Sequence, residues 1–94
     1  MNITFRDFFS LPSKGILIDI RDKESYLQGH VPGAQNIISS ELLYHANSYL
    51  NYKDIYYLYC DVGYISADVC KRLRMQGYHV FSIIGGYQNY LLID

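Results

Sequence analysis

The feature that most restricts the fold is a set of short apolar runs that alternate with segments of helical periodicity. Residues 16–20 read ILIDI, residues 55–59 read IYYLY, and a third run covers residues 78–84. Nearly continuous apolar runs of this length are typical of strands buried on both faces, as in parallel sheets. Because helical patterns separate these runs, the sequence predicts an α/β domain with a mainly parallel central sheet and helices on both of its faces.

Helix signals fill the segments between the runs. Thr4 is a capping residue type, and we expect a short first helix with Phe5, Phe8 and Phe9 turned inward. Asp22 is expected to cap a second brief helix, directly after the first of the three apolar runs.

Two longer helices and a closing one are expected in the second half of the chain. Ser40 is placed as the cap of a helix that runs to about Tyr49. Ser66 is placed as the cap of a helix over residues 66–76, and the closing helix is expected to end near Leu92.

Length and charge limit the class of protein. The 94 residues suffice for one domain with a modest core, and we assign 1–94 to a single domain. A formal net charge of −1 gives no electrostatic basis for binding nucleic acid or an anionic membrane. No apolar run approaches the ~20 residues of a membrane span, and the N-terminus lacks the pattern of a signal peptide.

The two cysteines, Cys60 and Cys70, form neither a disulfide framework nor a metal-binding pattern. The chain is therefore expected to be cytoplasmic, in a reducing compartment, with no metal and no cofactor. Cys70 falls on the predicted inner face of its helix with Val69 and Leu73, which favours a core role. The alternative is a resolving thiol that forms a disulfide with Cys60.

Cys60 is the strongest candidate for a functional residue. It follows the apolar run 55–59, and a short loop separates it from the helix expected to begin at Ser66. Loop amides converge at such a position and a helix N-terminus carries partial positive charge, so both stabilise a thiolate relative to a thiol. Ligands of open α/β sheets bind at the carboxyl ends of strands. The sequence therefore predicts that Cys60 is a nucleophile.

Four segments resemble, in the same order, the motifs of the single-domain rhodanese family of thiosulfate sulfurtransferases and persulfide carriers. They are LIDIR at 17–21, GHVPGAQNI at 29–37, YCDVGYISA at 59–67, and GYHV with IGGY at 77–80 and 84–87. The resemblance implies a rhodanese-like fold. It also implies that Asp19 and Arg21 tie the first strand to the following turn by hydrogen bonds, and that His30 orients the backbone of that turn.

The resemblance further implies double displacement at Cys60. The thiolate takes the outer sulfur of a small donor, thiosulfate or a low-molecular-weight persulfide, and becomes Cys–S–SH. A thiol, cyanide or a sulfur-accepting protein then removes that sulfur. The loop amides are expected to point inward and hold the anionic sulfur, with Gly63 providing the necessary backbone conformation. The implied substrate-binding residues are Asp61, Val62, Gly63, Tyr64, Ile65 and Ser66.

Two positions depart from the family pattern. Ile65 stands where the family usually has arginine, and Tyr90 is the nearest match to its usual tryptophan after the glycine pair. An arginine at the loop rim helps to bind an oxyanion, whereas Asp61 adds negative charge beside the nucleophile. We therefore expect thiosulfate to be a poor donor and a persulfide to be a better one.

Two other functions stay open from the sequence alone. A rhodanese-shaped binding or regulatory module without chemistry is favoured by Ile65 and opposed by Cys60. A phosphatase or arsenate reductase of the related cell-cycle phosphatase type requires arginine six residues after the cysteine. Ser66 occupies that position, which disfavours this function.

Overall fold

The computed structural model describes residues 1–13 and 15–93 and shows five strands and six helices in that part of the chain. In chain order they are β1 (Asn2–Ile3), α1 (Phe5–Phe9), β2 (Ile16–Asp19), α2 (Lys23–Gln28), β3 (Gln35–Asn36), α3 (Ser39–Tyr44), α4 (Ala46–Tyr49), β4 (Ile55–Tyr59), α5 (Tyr64–Met75), β5 (His79–Ile83) and α6 (Gly86–Tyr90).

The strands form one sheet in the order β1-β5-β4-β2-β3, and every pairing is parallel. Asp19 at the end of β2 lies opposite Tyr59 at the end of β4. The Ile20 amide then donates to the Tyr59 carbonyl at 3.0 Å, which extends the pairing one step beyond the strands. The residues that follow β2 and β4 therefore leave the sheet side by side. The predicted α/β class with a parallel sheet is confirmed.

Each face of the sheet carries its own apolar core and its own helices. On one face Leu42 of α3, Ala46 of α4 and Leu73 of α5 pack against the strands. On the other face, Phe5 and Phe8 of α1 pack beside the β4 and β5 side chains, with α6 next to them. Full burial of each large apolar side chain contributes about 1.5–3 kcal/mol. Helices on both faces are thus the observed arrangement, as predicted.

The start of α5 differs from the expectation. The helix begins at Tyr64 with Gly63 as its N-cap, so Ser66 lies in the first turn and is not a cap. The left-handed conformation of Gly63, with φ +103°, turns the chain into the helix before Ser66 is reached. The Ser66 side chain is buried instead.

Other expected boundaries also change. The helix expected from Ser40 to Tyr49 is two helices, α3 and α4, because His45 between them has non-helical backbone angles (φ −130°, ψ 40°). Phe9 is 40% exposed and does not point fully inward, whereas Thr4 caps α1 as predicted. The closing helix ends at Tyr90.

Strand β1 pairs with β5 at the edge of the sheet, and the sequence did not indicate it. None of the helices in the described part of the chain is long and apolar enough to cross a membrane.

Candidate active site

Cys60 lies directly after β4, and its sulfur is the centre of a small hydrogen-bond network. The Sγ atom accepts the amides of Gly63 at 3.1 Å and Ser66 at 3.3 Å. The thiol itself contacts Ser66 Oγ at 3.4 Å. Among the described residues the amides that reach the sulfur are therefore these two, fewer than the whole 62–66 loop that the sequence suggested. The two backbone donors suit a sulfur that carries negative charge.

The conformation of Gly63 makes this arrangement possible. Its φ of +103° lies in the left-handed region, which glycine adopts without steric cost. A side chain at this position would also approach the Gly85 backbone nitrogen at 3.0 Å. Gly63 thus both turns the loop and leaves room for the neighbouring glycine pair. Its carbonyl in turn accepts the Ser66 hydroxyl at 3.3 Å.

Ser66 and Ser82 form a buried hydroxyl pair behind Cys60. Their Oγ atoms are 2.8 Å apart, and both side chains are buried. Ser82 was not predicted from the sequence. The available signal was a polar residue between Phe81 and Ile83 in the apolar run of β5, because a polar side chain in a buried strand needs a hydrogen-bond partner.

The start of α6, with the glycine pair Gly85 and Gly86, contacts the Cys60 loop from the other side. The amides of Tyr87 and Gln88 donate to the carbonyls of Cys60 and Asp61 at 2.8 and 3.0 Å. A Cβ on Gly86 would overlap the Cys60 carbonyl oxygen and lie 2.7 Å from that of Asp61. Close backbone-to-backbone packing therefore fixes the position of Cys60 against the start of α6.

Asp19 and Arg21 tie β2 to the following turn, as the resemblance implied. Asp19 is fully buried and Arg21 Nη2 lies 2.7 Å from its Oδ2. The same nitrogen donates to the Gly29 carbonyl at 2.7 Å. The guanidinium stacks over the Tyr87 ring at 4.2 Å, so its charge is shared between a carboxylate and an aromatic face. His30 lies in the same turn, where Nδ1 is 2.8 Å from the carbonyl of Tyr26.

A cleft of ≈ 270 Å³ opens above Cys60. Of the predicted loop residues, Asp61 and Ile65 line it together with Cys60. Val62 and Tyr64 are 50% and 81% exposed, on the outer side of the loop. The opposite walls come from the segment after β2, from α2 and from the start of α3. Their lining residues are Ile20, Arg21, Asp22, Ser25, Ile38 and Ser39. Cys60 is only 3% exposed, so the sulfur is the floor of the cleft.

Cys70 has a different environment from Cys60. It is fully buried in the core between α5 and the sheet, and both cysteines are free thiols. Burial raises the pKa of the Cys70 thiol to about 12. This favours the core role over that of a reactive resolving thiol. Among residues 1–13 and 15–93, no group of three or more His, Cys, Asp or Glu side chains is placed to hold a metal ion.

Comparison with known proteins agrees with this geometry. The family model of the rhodanese-like domain matches residues 9–92. The protein YqhL of Bacillus subtilis is 30% identical over 89 residues, which cover 94% of this chain and 70% of that protein. The crystal structure of a rhodanese-like domain protein from Staphylococcus aureus superimposes with a TM-score of 0.82 at 30% identity, covering 94% of this chain and 89% of that one.

A functionally described relative is much longer. The tRNA sulfurtransferase of Pyrobaculum aerophilum is 34% identical over 74 residues, or 79% of this chain. The matched region is 15% of the length of that enzyme. The likeness therefore concerns one part of the longer enzyme.

Proposed function

Because this chain belongs to the rhodanese-like domain family, we propose that it is a sulfurtransferase that carries sulfane sulfur as a persulfide on Cys60. The observation that carries the proposal is the sulfur at the floor of the cleft, which accepts the Gly63 and Ser66 amides. The same donors that stabilise a thiolate also stabilise the terminal sulfur anion of a persulfide.

The transfer takes place in two half-reactions. Cys60 thiolate attacks the outer sulfur of a donor, and the bond between that sulfur and the rest of the donor breaks. The rest of the donor leaves as sulfite when the donor is thiosulfate, and as a thiolate when the donor is a persulfide. An acceptor thiolate or cyanide then attacks the outer sulfur of Cys60–S–SH, and Cys60 leaves as a thiolate. The acceptor is a small molecule or a sulfur-accepting protein.

The cleft supports a persulfide donor more than thiosulfate. Ile65 is 58% exposed and lines the cleft, and the family usually has at this position an arginine, which would attract the sulfonate group of thiosulfate. Arg21 also lines the cleft, but Asp19 compensates its charge at 2.7 Å. Thiosulfate, a dianion, then relies on the loop amides alone. The two free thiols suit the reducing cytoplasm, which is the location we propose.

Intact-protein mass spectrometry tests the proposal. The reduced protein is incubated separately with thiosulfate and with glutathione persulfide, and we expect a gain of one sulfur atom that dithiothreitol removes. Cys60→Ser abolishes the gain, whereas the matched variant Cys70→Ser retains it. A gain of sulfur that survives in Cys60→Ser would refute the assignment of the carrier residue.

The binding-module function is the second candidate, and the apolar Ile65 at the cleft wall is the observation that favours it. The same experiment separates the two candidates, because a module without chemistry gains no sulfur from either donor. The phosphatase function is disfavoured by Ser66, since its hydroxyl is buried against Ser82 at 2.8 Å and cannot clamp an oxyanion as an arginine does.

A further inference from the structure

We infer that the cleft selects small aliphatic thiols and persulfides that carry an ammonium group over those that carry a carboxylate. This inference rests on the proposed function and specifies the substrate class of the same site. The charge, the walls and the size of the cleft all favour such a ligand.

Two carboxylates flank the nucleophile. Ile20 and Tyr59 are joined by a hydrogen bond of 3.0 Å, so the segments that follow them leave the sheet as neighbours. Asp22 lies two residues beyond Ile20, and Asp61 follows Cys60 directly; both are exposed and both line the cleft. The cleft therefore has one carboxylate from the segment that follows β2 and one from the segment that follows β4.

Local hydrogen bonds hold both carboxylates in place. Asp22 Oδ1 accepts the Ser25 amide at 2.8 Å as the cap of α2. This hydrogen bond and, to a smaller extent, the charge of Arg21 lower the pKa of Asp22, so that it stays ionised. Asp61 Oδ1 accepts the side-chain amide of Gln88 at 3.2 Å. Arg21 is the one cationic residue among those that line the cleft, and it is paired with buried Asp19. The cleft therefore carries excess negative charge.

The walls and the volume define the rest of the ligand. Ile38 and Ile65 are 44% and 58% exposed and both line the cleft, so methylene groups have apolar surface to cover. A cleft of ≈ 270 Å³ corresponds to about nine water volumes, which suits a chain of a few carbon atoms with one polar end group. With its sulfur on Cys60, such a ligand has its ammonium group near the two carboxylates.

The test is the discharge of persulfidated protein by three acceptor thiols of similar size: cysteamine, mercaptoethanol and mercaptopropionate. The protein is first loaded with inorganic polysulfide, and loading is checked by intact mass. In each reaction the acceptor thiolate attacks the outer sulfur, the bond to Cys60 breaks, and the acceptor becomes R–S–SH. The rate constant for cysteamine divided by that for mercaptopropionate is the measured preference.

Variants separate the effect of the cleft from the intrinsic reactivity of the thiols, because that reactivity is common to all forms of the protein. Asp22→Asn and Asp61→Asn keep the side-chain shape, and Asn is also a good helix cap. Each is expected to lower the preference for cysteamine about threefold to tenfold. The rate constant for the uncharged mercaptoethanol is expected to change less than those for the two charged thiols. Asp54→Asn is the matched control, since Asp54 precedes β4 and therefore lies at the other end of this strand from Cys60. Its preference is expected to equal that of the wild type.

Ionic strength gives an independent readout. The preference of the wild type is expected to shrink between about 0.1 M and about 1 M salt, because the screening length falls from ~10 to ~3 Å. Equal preferences in wild type, Asp22→Asn and Asp61→Asn would overturn the inference while leaving the sulfur-carrier function intact. Failure of every form to load with sulfur would overturn the proposed function, and the inference with it.

Discussion

Replacement of Gly86 by alanine tests whether backbone packing positions the nucleophile. Gly86 has φ +59°, which costs an L-residue about 1–2 kcal/mol. The new Cβ would also overlap the carbonyl oxygen of Cys60 and lie 2.7 Å from that of Asp61. Both neighbours are backbone atoms that cannot rotate away, and overpacking of this kind costs about 1–3 kcal/mol. We therefore expect Gly86→Ala to lower the free energy of unfolding by about 2–5 kcal/mol.

Gly33→Ala is the matched control. Gly33 has φ +88°, but no atom lies within 4 Å of the position of its Cβ. It should therefore show the conformational cost of about 1–2 kcal/mol without the clash. Urea unfolding gives the two losses of stability, and each kcal/mol corresponds to about 4–8 °C in Tm for a domain of this size.

The sulfur-loading rate provides the functional readout of the same pair. Gly86→Ala displaces the carbonyl of Cys60 and is expected to slow loading by about a hundredfold, the effect of a misplacement of ~1 Å. Gly33→Ala is expected to load at the wild-type rate. Two results would show that packing at Gly86 does not position Cys60. One is an equal loss of stability in the two variants, and the other is a folded Gly86→Ala variant that loads sulfur at the wild-type rate.

Three further predictions concern single side chains. Ser66→Ala is expected to slow sulfur loading about tenfold and Ser82→Ala about threefold. The difference is expected because Ser66 contacts the Cys60 sulfur, whereas Ser82 contacts only the Ser66 hydroxyl. Equal loading rates in wild type and both variants would contradict this prediction. The stability advantage of wild type over Cys70→Ala is expected to shrink by about 1–2 kcal/mol between about pH 8 and pH 10 in urea unfolding, and a constant difference would contradict the raised pKa. Ile65→Arg is expected to raise the rate of loading from thiosulfate about tenfold, and an unchanged rate would show that the missing cation is not limiting.

The sign of the Cys70 prediction follows from its pKa. Burial raises the pKa of this thiol from 9.0 to about 12 in the folded protein. Its contribution to stability is complete below the pKa of the unfolded chain and is lost as the pH rises toward 12, because the unfolded thiol ionises first. Alanine cannot ionise, so Cys70→Ala removes this pH dependence while the titration of the tyrosines is common to both proteins.

The sequence predicted the fold well where burial determines structure. The apolar runs of β2, β4 and β5 correspond to the central strands, because a strand covered on both faces needs apolar side chains throughout. Strand β1 was missed because two residues, Asn2–Ile3, have no periodicity, and their pairing with β5 is purely tertiary. The break at His45 was missed because the segment contains neither proline nor glycine.

At the candidate site the sequence indicated the position of Cys60 and its loop but not the details of the hydrogen-bond network. Cys60 and Gly63 were identified because a cysteine at a strand end and a glycine in a tight turn are local signals. Ser66 was placed as a cap, yet its hydroxyl contacts Ser82, 16 residues away along the chain. The flanking position of Asp22 depends on the register of β2 and β4, which the linear sequence does not specify.

Transfer of a labelled sulfur atom directly tests whether Cys60 carries sulfane sulfur and passes it to an acceptor. The protein is loaded with heavy-isotope sulfane sulfur, freed from the donor, and mixed with an acceptor thiol in a single turnover. Peptide mass spectrometry should locate the label on Cys60 before mixing, and on the acceptor persulfide afterwards, with both changes at the same rate. Two results would contradict a carrier role for Cys60. One is label that stays on the protein, and the other is label that appears on the acceptor while the amount on Cys60 does not fall.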